Sequence, residues 1–192
     1  MLTKLELRRK LIHMGSLVIP VSYVFVSKPT AIRVLLPVTA FFLFCDIIRR
    51  YSRTVRLIYE KHLIGTVVRK REEDRLVGST YFMIGASLSV CLLDQSIAIL
   101  SILVLIVSDT VAALVGMTLG KTPLFGSKTL EGSLAFLFSA VLIVILYPGI
   151  PLTWGVAGAL LATLAESLPL PLDDNLIIPL AMGVTVQTLS LL

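Results

Sequence analysis

The sequence predicts an all-α polytopic membrane protein of about seven transmembrane helices, with an interfacial amphipathic helix between spans two and three. Three observations predict it. Of the 192 residues 56% are apolar and only 15% charged, the mean hydropathy is +0.95, and the charges gather between apolar stretches of the length that crosses a bilayer. Soluble domains run to about 45–50% apolar usage, so water is not the main solvent of this chain. No stretch is left for a separate soluble unit, and residues 1–192 read as one membrane-embedded domain.

Apolar segments fall at 11–27, 31–47, 77–93, 96–120, 132–148, 152–168 and 176–192. The first follows a basic start and holds Pro20, Tyr23 and Phe25 with no small-residue cleavage site after it, so it is expected to remain as a span and not to be removed as a signal. The second and third contain Cys45 and Cys91, with no CxxC or Cys/His spacing, which suggests neither a disulfide framework nor a zinc site. Between them, in 48–76, Ile48, Tyr51, Val55, Ile58, Tyr59 and Leu63 recur at helical spacing among Arg49, Arg50, Arg53 and Arg56, the pattern of a helix lying in the membrane interface. It serves either as a solvated connector or as a funnel for an anionic substrate. The fourth segment contains Asp109, the fifth follows a Gly- and Lys-bearing loop, the sixth ends near Glu166, and the seventh follows two adjacent acids. Several are short enough to admit tilt or a re-entrant piece.

With the N-terminus inside, fifteen of the seventeen lysines and arginines lie in inner segments, leaving Lys28 and Arg33 outside. Every polar cluster of interest then faces the cytoplasm. The formal charge of +5 adjoins spans, so anionic headgroups or a nucleotide are the expected partners and nucleic acid is not. The lack of an internal repeat, and an outer half nearly bare of polar groups, count against a transporter.

Asp109 stands inside the fourth segment, where an ionisable group costs about 2.5–3.5 kcal/mol and is functional by default. Its face continues through Ala112, Ala113, Gly116 and Gly120, small residues that permit either close helix packing or a cavity. The run GKTPLFGSKTLEGS, 120–133, offers Lys121 and Lys128 as cationic donors, Gly126 for unusual backbone angles, and Ser127 and Thr129 before a helix start where an anion is welcome. Lys128 and Glu131, three apart, are expected to share a face; a capped helix start with a solvated ion pair is the plainer reading. GMTLGKT is not a P-loop: Gly116 and Gly120 enclose three residues where four are needed, and an apolar helix precedes them instead of a strand. Glu166 and the run Asp173, Asp174, Asn175 suit a hard cation such as Mg²⁺, although one of the acids could cap the last helix. At the membrane edge of span one, Arg9 and Lys10 are expected from orientation alone, and His13 adds a titratable group.

Together LELRRKLIH (5–13), SDTVAALVGMTLGK (108–121), GSKTLEGS (126–133) and ESLPLPLDDNLIIPL (166–180) resemble the membrane kinases that phosphorylate lipid alcohols, usually with CTP: dolichol kinase, phytol and farnesol kinases, and the fungal CTP-dependent diacylglycerol kinase. The resemblance covers most of the chain and implies a multi-pass enzyme, with its active site on the cytoplasmic face, that transfers the terminal phosphoryl group of CTP to a polyprenol, phytol-like alcohol or diacylglycerol. It implies Mg²⁺ held by Asp109 with Asp173 or Asp174, chemistry carried by those acids with Lys128 and Glu131, and substrate contacts from Arg9, Lys10, His13, Lys121, Glu166 and Asn175, to which the loop reading adds Gly126, Ser127 and Thr129 as candidates for holding the nucleotide's anionic group. The Asp109 segment followed by KTLEG is also similar to the CTP-using phosphatidate cytidylyltransferases, but the chain is short and lacks their HGG and DRxD pattern. Ser108 stands where many kinase relatives have Gly, and the additional N-terminal spans of dolichol kinases are missing, which leaves the particular alcohol open.

Overall fold

The computed structural model describes residues 4–55 and 76–192. Eight helices hold most of them: α1 (Lys4–Gly15), α2 (Val18–Tyr23), α3 (Lys28–Tyr51), α4 (Gly78–Leu92), α5 (Gln95–Leu119), α6 (Leu130–Leu146), α7 (Leu152–Ser167) and α8 (Asp174–Ser190). The described residues form no strand, only an isolated bridge between Pro123 and Thr129. The all-helical expectation therefore holds. The interfacial helix expected over 48–76 falls, from 56 to 75, outside the described residues.

Two helices, α3 with 24 residues and α5 with 25, are long and apolar enough to cross a membrane, whereas α4, α6 and α7 are apolar but shorter. The first expected span differs in kind. Residues 11–27 are not one helix but α1 and α2 separated at Ser16 and Leu17, where the Ser16 and Leu17 amides donate to the carbonyls of His13 and Met14, three residues back. Pro20 accounts for the break, because it has no N–H to donate to the Ser16 carbonyl and its ring crowds that carbonyl.

The centre of the bundle is α5. Leu100, Ile102, Val104, Leu105 and Ile106 are fully buried, and α1, α2, α4, α6 and α8 all pack on this helix. A helix apolar all round belongs inside a bundle or a bilayer. The small stripe on α5 gives close packing and not a cavity: Gly116 and Gly120 approach Thr129 of the α6 N-cap, and Gly132 of α6 lies against the Ala112 carbonyl and Gly116. Around this centre, α7 packs on α6 and α8, and α3 packs on α4. Much apolar surface stays outside, with Phe25, Phe41, Phe44 and Phe138 all well exposed, far beyond the scattered single residues of a water-facing surface.

Candidate active site

The break after α1 leaves the basic motif on a separate short helix, which packs against α5. From there Lys10 reaches α5: its ammonium donates to the Asp109 carboxylate at 2.6 Å and to the Asp109 carbonyl at 3.2 Å. His13, one turn on, brings Nε2 to 3.7 Å from the same carboxylate. Arg9 donates to Glu6 at 3.1 Å. These side chains line a cleft of about 110 Å³, closed on its other sides by Ser16, by Val77, Gly78, Ser79 and Phe82 at the start of α4, and by Asn175 of α8. The Phe82 ring meets the His13 ring edge-on, with centroids 5.5 Å apart.

A second cluster adjoins the first through α8. Lys128 donates to Glu166 at 2.5 Å and to Asp174 at 2.8 Å, while Ser133 donates to the other Glu166 oxygen at 2.9 Å. Glu166 is buried at 3% exposure, which a carboxylate tolerates only when paired and hydrogen-bonded. Burial works against the Lys128 charge, but Asp174 and Glu166 outweigh it and raise the ammonium pKa above its ordinary value. Asp174 is shifted up as well, by burial first, with the nearby Asp109 and Asp173 charges adding to it and Lys128 opposing. One ammonium between two carboxylates, with Asp173 also in electrostatic reach and Asp109 paired to its own lysine, leaves this corner short of positive charge.

The geometry departs from the expected pairing of Lys128 with Glu131. Lys128 precedes the first helical residue, so helical spacing does not apply to it, and it turns towards α7 and α8. Glu131 instead accepts from the Thr122 amide at 3.1 Å and the Thr122 hydroxyl at 3.0 Å. Its own amide and those of Lys121 and Thr122 pull its pKa down to about 2, so in this structure it braces the 120–129 loop. Thr129 caps α6 by accepting from the Gly132 amide. Gly126, at φ +58°, takes the left-handed conformation that its residue type was expected to supply. Lys121, Gly126 and Ser127 are exposed in the loop and do not line the cleft.

Of the two adjacent acids, Asp173 is the cap, accepting from the Asn175 amide at 3.0 Å and the Asn175 side chain at 2.7 Å, and Asp174 is the one held by Lys128. Among the described residues no group of three metal-ligating side chains converges, so Asp109, Asp173 and Asp174 do not form one ready-made cage. Ser133, Glu6, Ser79 and Phe82 escaped the sequence reading. Glu6 had a signal in its spacing to Arg9; Ser79 and Phe82 had none, since only the packing of α4 beside α1 brings them to the cleft.

No family model matches the chain, and no solved structure matches it. Among known proteins it is 32% identical over 186 residues to an uncharacterised protein of Rickettsia prowazekii, covering 92% of this chain and 90% of the relative. It is 36% identical over 122 residues to an uncharacterised protein of Methanocaldococcus jannaschii, 62% of each chain. With the CTP-dependent diacylglycerol kinase 1 of Schizosaccharomyces pombe it shares 30% identity over 152 residues, 70% of this chain and 69% of the relative. The chain belongs to the family of this CTP-dependent diacylglycerol kinase. That membership agrees with the resemblance carried by the four motifs, all of which supply residues to the cleft or to the lysine cluster beside it.

Proposed function

We propose that this chain is a multi-pass membrane kinase that transfers the terminal phosphoryl group of CTP to the hydroxyl of a lipid alcohol, diacylglycerol or an isoprenoid alcohol, at the cytoplasmic face. The observation that carries the reading is the meeting of Arg9, Lys10 and His13 with Asp109 and Asn175 around one cleft, beside a lysine held by Glu166 and Asp174. Family membership supports it, as do the exposed apolar faces, which suit contact with lipid. A cleft of about 110 Å³ is small beside the roughly 300–1,000 Å³ that encloses a drug-sized ligand, so it suits the reacting phosphoryl and hydroxyl groups, with the rest of each substrate outside it.

Phosphoryl transfer asks for positioning and charge neutralisation more than covalent help from the protein. Arg9 and Lys10 bind phosphate oxygens, Arg9 by its planar fork and Lys10 as a compact charge. Lys128 offsets charge that develops on the transferring group. An adjoining carboxylate accepts the alcohol proton. The donor set also fits Mg²⁺, which takes one or two carboxylates and completes its shell with phosphate oxygen and water; Asp109, now held by Lys10, and Asp174, which shares the Lys128 ammonium with Glu166, are the hard oxygen donors that would hold it. When bound, the ion would supply positive charge against that of the phosphates.

Purified protein given CTP labelled on the γ-phosphate, or in parallel on the α-phosphate, together with mixed lipid alcohols, tests the proposal. Label passing from the γ position alone to lipid supports a kinase. Label entering lipid from the α position would reveal a cytidylyltransferase, and no labelled lipid from either would overturn the enzymatic reading.

A further inference from the structure

We propose that Asp46 is a positioning residue for the cleft, fixing the start of α4 so that Gly78, Ser79 and Phe82 form the wall facing the basic residues of α1. The proposal rests on reading that cleft as the site of phosphoryl transfer. Asp46 is fully buried near the end of α3, and its companion Arg49 is 3% exposed. An acid in an apolar helix is expensive, and its pairing with Arg49 does not by itself offset that cost, because a buried ion pair is often no more stable than an apolar one.

What the carboxylate does is divided between two elements. One oxygen accepts from the Arg49 guanidinium at 2.7 Å. The other accepts from the Val77 amide at 2.7 Å, 31 residues on. Val77 is the extended residue that precedes α4 and is itself buried, so its N–H lies away from water and would lose its acceptor without Asp46. The next two residues, Gly78 and Ser79, line the cleft. One turn later Phe82 packs its ring against His13. A displacement at Val77 is therefore passed directly to the wall opposite Arg9 and Lys10, where an error near 1 Å can cost about a hundredfold in rate.

The fold does not depend on this contact alone. Midway along the two helices Thr39 of α3 hydrogen-bonds with Ser87 of α4 at 2.7 Å and donates to the Met83 carbonyl at 3.2 Å. These bonds keep α3 and α4 together when the terminal anchor is removed.

The test compares the wild-type chain with Asp46→Ala and Asp46→Asn in lipid nanodiscs. Three readouts are taken: lipid-phosphate formation, amide hydrogen exchange at residues 77–79, and the ring NMR signals of His13. In Asp46→Ala, kcat/KM should fall by about tenfold to a hundredfold, exchange at 77–79 should quicken, and the His13 signals should shift, while the melting temperature stays well above the assay temperature. Asp46→Asn keeps an oxygen for the Val77 amide, so it should recover most of the protection and part of the rate. A role confined to stability predicts instead that rate falls only with the folded fraction. The proposal is overturned by that result, or by Asp46→Ala with exchange at 77–79 and His13 signals unchanged, or with a rate within about twofold of wild type. If the wild-type chain forms no lipid phosphate, the functional reading fails separately, and exchange and ring signals still decide whether Asp46 sets the wall.

Discussion

Lys10 and Asp109 stand 99 residues apart in sequence and 2.6 Å apart in space, and the contact joins the basic helix α1 to the only carboxylate within the central helix α5. Both side chains are mostly buried, at 12% and 17% exposure. Removing one partner of such a pair leaves a charge without its counter-charge, typically at a cost of about 3–5 kcal/mol, whereas replacing both by apolar residues is often neutral. Lys10→Met alone should thus destabilise the protein more than Lys10→Met with Asp109→Leu, although both should be inactive. Unfolding in mixed detergent measures the stability order, and equal destabilisation by the single and double variants would show that the pair is not coupled.

Lys128 makes the second prediction. Its two carboxylate partners keep it protonated, so its own titration should leave no step in the pH–rate profile below its raised pKa. If it neutralises charge in the transition state, Lys128→Ala should lower kcat by roughly a hundredfold or more. Lys128→Arg should restore only part, because a planar fork does not replace a compact ammonium between two carboxylates. Saturation with CTP and lipid separates kcat from KM, and an alanine variant with near-normal kcat would remove Lys128 from the chemistry.

Glu131 gives a pH dependence whose sign is fixed. Its pKa is lowered from 4.5 to about 2 by amides of the loop, so its contribution to loop order is complete above about 4.5 and is lost as the pH falls towards 2. Exchange at the Thr122 amide should quicken over that window, and Glu131→Gln should abolish the change while leaving kcat near wild type. A large loss of kcat at neutral pH in Glu131→Gln would return this residue to the catalytic set.

The pattern of what the sequence disclosed follows from range. Composition and apolar run length depend on local chemistry, and they correctly indicated a helical chain. An acid in an apolar run was a sound signal at Asp109, and the same signal was available at Asp46, inside the 31–47 segment, without being used. The Lys128–Glu131 pairing failed because spacing rules hold only within a helix, and Lys128 lies before α6 begins. The partners of Lys128 are 38 and 46 residues away, a distance at which side-chain pairing leaves no periodic trace.

Topology can be tested on the same residues. The asymmetry of Lys and Arg predicts that the N-terminus and the loop around Lys128 face the cytoplasm, and the expected count of seven spans puts the loop around Asp173 on the same side. With Cys45 and Cys91 replaced, single cysteines at positions 128 and 173 should be labelled only after the membrane is opened. A cysteine at Lys28, or at the C-terminus, should be labelled from outside. Labelling of 128 or 173 in sealed cells would invert the orientation, and labelling of the C-terminus only from inside would change the number of crossings from odd to even.

Asp173 and Asp174 are adjacent, yet the structure gives them different work, and this supplies the sharpest substitution test. Asp173 accepts from the Asn175 amide as the N-cap of α8, so Asp173→Ala should cost about 0.5–2 kcal/mol of stability, and Asp173→Ser, which keeps a capping oxygen, should recover most of it with activity intact. Asp174 contributes no cap. It holds Lys128 at 2.8 Å and is one of the two carboxylates proposed for Mg²⁺. Asp174→Asn should therefore leave the melting temperature almost unchanged and abolish turnover at any Mg²⁺ concentration, because an amide oxygen cannot balance a divalent charge. A shift of the Mg²⁺ requirement to higher concentration with full kcat would mean that Asp174 assists binding of the ion without being needed for the reaction. Were Asp173→Ser the inactive variant and Asp174→Asn the active one, the roles would be reversed, and the capping geometry would have to open when the nucleotide binds.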